Sequence, residues 1–153
     1  MGPREEISER IISRPVLFSV VGKKGAGKSE VLERLIAILT QRKLRVGVIK
    51  HLARDDFEVD EPGKDTYRYR MRGAETVILS GRKRLAIFSN LQEEIPLNRL
   101  LTFFGDFDLV FLEGYYLEGM PRIEVQHKEM ELDSLIPWIE EKLVQSFPLP
   151  QSF

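Results

Sequence analysis

Apolar and polar positions fall into blocks that read alternately as strands and helices. Val16 to Val21, led by Pro15, is a short run rich in β-formers, the mark of a buried strand. Val31, Leu32, Leu35, Ile36 and Leu39 then recur at helical spacing. Leu44 to Lys50 reads as a second strand, expected to pair parallel to the first after its crossover helix. The polar stretch His51 to Lys64 carries Asp55, Asp56, Glu58, Asp60 and Glu61, and reads either as solvated loop or as a holder of metal. Asp65 to Arg72 is predicted as a short helix with Tyr67, Met71 and Ala74 toward the core and Gly73 as its stop. Thr76–Ser80 and Leu85–Ser89, joined by Gly81-Arg-Lys-Arg84, predict a hairpin. Pro96 to Phe104 predicts a helix stopped by Gly105. Leu109–Leu112 is a further buried strand, Arg122–Gln126 a last short one. Asp133 or Ser134 caps a final helix through Leu143, with Pro137 in its first turn. Phe147 to Phe153 is expected to be irregular.

This order predicts an α/β chain: a three-layer fold with a mostly parallel sheet and one antiparallel hairpin. At 153 residues a single nucleotide-binding domain over 1–153 is expected, long enough to bury a core unaided. A net charge of −1 implies no bulk attraction to nucleic acid or anionic membrane. With no cysteine in the chain, disulfides, thiolate-bound zinc and thiol catalysis are excluded. No apolar stretch approaches the roughly 18 residues that span a membrane. The first residues are charged and show no signal-peptide core, so a cytoplasmic location is the expectation.

The candidate chemistry lies between the first strand and the first helix. Gly22-Lys23-Lys24-Gly25-Ala26-Gly27-Lys28-Ser29 fits the phosphate-loop pattern G-x-x-x-x-G-K-[ST] at every position. The glycines let successive N–H groups turn toward phosphate oxygens. Lys28 reaches the β/γ-phosphates, the Ser29 hydroxyl is a Mg²⁺ ligand, and the helix that follows presents its positive end.

Ligands in such sheets sit at the carboxyl ends of the strands. Ser29, His51, Glu113 and the Asp55/Asp56 pair all follow predicted strands and could share one rim. Asp108 to Glu113 reads as an apolar strand ending in a carboxylate, so Glu113 contacts Mg²⁺ through water, or orients the attacking water, or simply caps the strand. In its Gly-Lys-x-Gly-x-Gly-Lys-Ser form the loop resembles the deviant Walker A sequence of dimeric ATPases and GTPases, which implies that Lys23 crosses to a partner's nucleotide; otherwise Lys23 is a solvated charge. His51 either orients a water or is only hydrogen-bonded. Arg68, Arg70 and Arg72 do not share a helix face, and either bind phosphate or are solvated. Arg82-Lys-Arg84 is most simply a charged turn.

Several segments together resemble the molybdopterin-guanine dinucleotide biosynthesis protein B (MobB) family: the phosphate loop, Gly47-Val-Ile-Lys-His51, Phe57 to Arg68 with its Asp-x-Pro-Gly-Lys-Asp-Thr-Tyr stretch, Arg72-Gly-Ala74, Leu112-Glu-Gly114 and Pro121-Arg-Ile-Glu-Val125. The resemblance covers about residues 15 to 126. It implies a cytoplasmic homodimer that binds GTP with Mg²⁺, hydrolyses it weakly, and assists a separate guanylyltransferase in attaching GMP to molybdopterin. The implied nucleotide site is Gly22 to Ser29, with Lys28, Glu113 and Lys23 catalytic and Ser29 and Glu113 at the metal. His51, Asp60, Lys64 and Asp65 match further motif positions. Arg54-Asp55-Asp56 departs from the family, where histidines are frequent. A small-molecule kinase is the other reading, since many phosphate-loop kinases are similar in size.

Overall fold

A computed structural model describes residues 15–55 and 57–145. Asp56, the residues before Pro15 and the expected irregular tail lie outside the described residues. The chain divides into two compact units, one comprising the described residues up to Leu52 and from Leu97 on, the other Ala53–Pro96.

The larger unit is built on four parallel strands. These are β1 (Val16–Val21), β2 (Val46–Lys50), β5 (Leu109–Glu113) and β6 (Arg122–Glu124), in the order β2-β5-β1-β6. Helix α1 (Lys28–Gln41) and helix α4 (Leu135–Val144) cover one face. There Val16, Phe18, Val20, Leu109, Phe111 and Ile123 meet Val31, Leu35, Leu39, Ile136, Ile139 and Leu143. The alternate strand residues Leu17, Val110 and Leu112 meet Leu97, Leu101 and Phe104 on the other face. Those three belong to helix α3 (Leu97–Leu100) and the 3₁₀ turn Leu101–Phe104. This is the predicted three-layer arrangement, with the strands apolar on both faces as buried parallel strands must be.

The expected pairing of β2 with β1 is corrected. β5 lies between them, with Val16 and Val46 both opposite Leu109 and Val20 and Lys50 both opposite Glu113. The reason is burial. Leu109, Val110, Phe111 and Leu112 are wholly inaccessible, whereas β2 carries exposed Val48 and Lys50 and suits the outer position. The predicted helix over 96–104 is helical only to Leu100 and tightens to 3₁₀ after it. Gly105 ends it with a right-handed φ of −56°, so no left-handed stop operates. Ser134 occupies the N-cap of α4 but makes no side-chain capping bond.

The smaller unit holds helix α2 (Asp65–Met71) and the antiparallel pair β3 (Thr76–Ser80) and β4 (Leu85–Ser89). The hairpin turn is closed by Gly81 N–H donating to Arg84 C=O at 2.9 Å. Met71, expected to face a core, is 58% exposed; Thr66 is the residue that α2 buries.

Gly47 lets the Phe104 ring come close to β2, for a Cβ there would stand 2.5 Å from Phe104 Cε1. Gly47→Ala must push that ring away and is expected to cost about 1–3 kcal/mol, the usual penalty of overpacking. Urea denaturation checks this; an unchanged midpoint would show that the ring is free to move.

Candidate functional site

The glycine loop leaves β1 at its carboxyl end and runs straight into α1. Gly27 is the N-cap of α1, in the left-handed region at φ 92°, and no side chain caps the helix. The first-turn N–H groups therefore face outward at the positive end of the dipole, the arrangement that receives an anion. Ala26 N–H donates to Lys23 C=O at 3.0 Å and tightens the loop. Lys28 folds back across it, its Nζ donating to Gly22 C=O at 2.8 Å and Lys23 C=O at 3.2 Å. The ammonium is thus held over the mouth of the loop, where phosphate oxygens would replace the carbonyls as its acceptors. Lys23, Lys24, Gly25 and Ser29 are exposed along the same loop.

Parallel register sets the next strand end beside this loop. Glu113 lies opposite Val20, and its carboxylate is 13% exposed. Lys50, opposite Glu113 on the other side, brings Nζ to 3.8 Å from its Oε1 while staying 53% exposed. His51 follows: its N–H donates to Glu113 C=O at 2.8 Å, and its ring lies 5.3 Å from that of Tyr115. Gly114 permits this crossing, since a Cβ there would stand 2.7 Å from His51 C=O and its φ is 85°. The carboxyl ends of these strands carry the loop, Glu113, Lys50 and His51; of the Asp55/Asp56 pair expected with them, Asp55 belongs to the smaller unit and Asp56 lies outside the described residues. Lys50 stood out in the sequence only as part of the Lys-His pair of the family resemblance, with no role of its own, and Tyr115 had no signal beyond its place two residues after Glu113.

The donor set suits Mg²⁺ delivered with a nucleotide. A serine hydroxyl and a carboxylate are hard oxygen donors, and this ion takes most of its ligands from phosphates and water. Among the described residues no group of three or more His, Asp or Glu is placed to hold a metal independently.

Asp60, Lys64 and Asp65 belong to the smaller unit, as does Asp55. There Asp60, with a side chain only 5% exposed, accepts from Thr66 Oγ1 at 3.0 Å and Glu61 N–H at 2.9 Å. Its Oδ2 stands 3.4 Å from Arg70 Nε. Arg70, 8% exposed, forks onto both oxygens of Glu58 at 3.0 Å and lies 5.4 Å over the Phe88 ring. Lys64 pairs with Glu61 at 3.6 Å, and Asp65 Oδ1 accepts from Thr66 N–H at 2.8 Å. Of the three alternating arginines, Arg70 is thus an internal tie, which the pattern of charges alone did not reveal.

A parallel sheet with a glycine loop at the end of β1, an uncapped helix after it and a carboxylate at the end of the adjacent β5 defines the P-loop NTPase class of nucleotide-binding fold. The family model described as Molybdopterin guanine dinucleotide synthesis protein B matches residues 17–146. The chain belongs to this MobB family. It is 37% identical over 116 residues, 74% of its length, to a molybdopterin-guanine dinucleotide biosynthesis adapter protein of Haemophilus influenzae. The adapter protein of that name from Escherichia coli is 34% identical over 111 residues, 70% of this chain. The chain spans 65% and 63% of the lengths of these two relatives. The crystal structure of a MobB homologue from Bacillus stearothermophilus shares the fold, with a TM-score of 0.60 at 20% identity over 85% of this chain and 99% of that one.

Bonding to Asp60 N–H, and then to Arg70, holds the Glu58 carboxyl below its ordinary value of 4.5. A depressed value means that this carboxylate favours the fold above pH 4.5, and that the contribution fades as pH falls through the lower folded value. Glu58→Gln is therefore expected to be less stable than the parent at neutral pH, the difference shrinking as pH drops below 4.5. Thermal melts of both across that range would refute this if the gap stayed constant.

Proposed function

We propose that the chain binds GTP with Mg²⁺ at Gly22–Ser29 and acts as an adapter in molybdenum-cofactor biosynthesis, assisting the guanylyltransferase that builds molybdopterin guanine dinucleotide. The observation that carries the nucleotide site is the position of Lys28 Nζ across the loop mouth, 2.8 Å from Gly22 C=O. The adapter role rests on the relatives' names and on family membership. Molybdopterin or the finished cofactor and the guanylyltransferase are the proposed partners, and the cytoplasm the proposed location. Among the described residues no helix is long and apolar enough to cross a membrane.

Within the site, Lys28 neutralises the β/γ-phosphates while the exposed first turn of α1 cradles them. Ser29 and Glu113 would hold Mg²⁺, which when bound neutralises charge on the phosphate oxygens. Lys50 at 3.8 Å keeps the Glu113 carboxylate at the rim. Hydrolysis is slow in this reading, because the cation that stabilises the γ-phosphate comes from a partner subunit. Lys23, exposed early in the loop, is the proposed donor across a homodimer interface. His51, which follows Lys50 at the rim, is proposed to border the site, its N–H bonded to Glu113 C=O. A kinase needs a lid over the phosphates. Its only sequence candidate, Arg82 to Arg84, lies in a hairpin turn closed by the 2.9 Å bond between Gly81 and Arg84, too short to fold over a substrate.

Lys28→Ala removes a charge-assisted contact and is expected to weaken GTP binding by about 1.5–3 kcal/mol, roughly 10- to 100-fold. Calorimetry with unchanged affinity would end the site assignment. Lys23→Ala is expected to lower turnover while sparing affinity, and mixed Lys23→Ala and Lys28→Ala subunits to regain part of the rate. Turnover equal to the parent, or a monomer with GTP bound in light scattering, would remove the cross-subunit lysine and leave the site intact.

A further inference from the structure

β1 has a neighbour on each side, and only one of them carries the chemistry already described. β5 brings Glu113 to one flank of the loop, and β6 brings Glu124 opposite Val21 on the other. Beyond β6 the chain does not leave. Val125 N–H donates to Val21 C=O at 2.8 Å, and a Cβ on Gly22 would stand 2.6 Å from Val125 C=O. Three residues later the backbone lies directly on the start of α1, where a Cβ on Gly27 would meet Lys128 Cα at 2.6 Å and its N at 2.8 Å. Arg34, from the outer side of α1, fastens the segment by donating from Nη1 to Lys128 C=O at 3.1 Å and to Met130 C=O at 3.0 Å. Met130 N–H returns to His127 C=O at 3.2 Å and closes a turn.

The backbone of this turn is fixed at several points, yet the side chains of Gln126, His127, Lys128 and Glu129 are all exposed. A core does not need them there. Fixed backbone carrying free polar side chains at the edge of a binding loop is what preorganised recognition requires.

We infer that this turn reads the base of the bound nucleotide, and that Glu129 selects guanine. The inference rests on the nucleotide-binding reading above. A triphosphate whose terminal phosphate lies toward Lys28 and Glu113 occupies the β5 flank, so its nucleoside extends over the opposite flank, where this turn is the adjoining chain. The pairing edge of guanine offers N1–H and the N2 amino group, two neighbouring donors. An ionised carboxylate accepts only, and with two oxygens it matches them. Adenine offers an acceptor at N1 and would be repelled. Within Gln126–Met130, Glu129 is the one carboxylate. Discrimination of this kind is large because the wrong base leaves polar groups unpaired.

The test compares GTP, ATP, XTP and inorganic tripolyphosphate by calorimetry on the parent, Glu129→Gln and the neighbouring control Glu131→Gln. The parent and Glu131→Gln should prefer GTP to ATP. Glu129→Gln should lose GTP affinity by about 10- to 100-fold, the worth of bonds to a charged group. Its tripolyphosphate affinity should be unchanged, and XTP should gain on GTP, because the amide can donate to the xanthine oxygen. GTP affinity and preference in Glu129→Gln equal to those of the parent would overturn the inference. So would a parent that binds tripolyphosphate and shows no preference between GTP and ATP, with the phosphate site surviving. A parent that binds neither GTP nor tripolyphosphate would instead remove the nucleotide reading itself.

Discussion

The parallel pairing of β1 with β5 is the constraint on which the site depends. Register puts Val20 opposite Glu113 and Lys50 opposite the same residue across β5. A slip of one residue would turn Glu113 to the other face of the sheet and set Leu112 at the rim. What prevents the slip is burial on both faces. Phe18 packs against Phe111 with ring centroids 6.1 Å apart, and Trp138 of α4 meets Phe18 at 5.7 Å. On the other face Leu17, Val110 and Leu112 fill a second cluster. Moving either strand would exchange two sets of apolar contacts at once, each buried side chain being worth about 1.5–3 kcal/mol. The position of a surface carboxylate is therefore fixed by groups that never meet a ligand.

Ser19 shows how tightly the middle of β1 is held. It is the polar residue in a run otherwise apolar, and it is buried. Its Oγ donates to Tyr115 C=O and its backbone N–H donates to Pro121 C=O, the latter at 2.9 Å. One residue thus ties β1 to the segment leaving β5 and to the segment entering β6. A buried hydroxyl with a partner costs little and specifies geometry.

Local features were legible in the sequence and distant ones were not. The glycine loop, α1 and the hairpin each depend on residues within a few positions of one another, so pattern and turn chemistry sufficed. The order β2-β5-β1-β6 is set by which strand can be buried on both faces, and that comparison spans the chain from Val16 to Ile123. Met71 was misplaced for a related reason. Its helical spacing is real, but the smaller unit has little interior, and its buried polar centre is Asp60, Thr66 and Arg70. Arginines at alternate positions on a seven-residue helix gave no hint that one of them turned inward.

The loop itself joins the two kinds of information. Its glycines are a local signal, yet the reason for two of them is distant. Gly22 and Gly27 are required because Val125 and Lys128, about a hundred residues further on, leave no room for a Cβ. Gly27 must also hold a φ of 92°, which an L side chain would strain. A phosphate loop with the same pattern but an open flank could tolerate a larger residue at Gly22. Here the flank is closed by chain returning from the far side of the sheet and held by Arg34. The anion cradle is thus no free-standing motif: β5 supplies the carboxylate on one side of it, and the segment after β6 supplies the wall on the other.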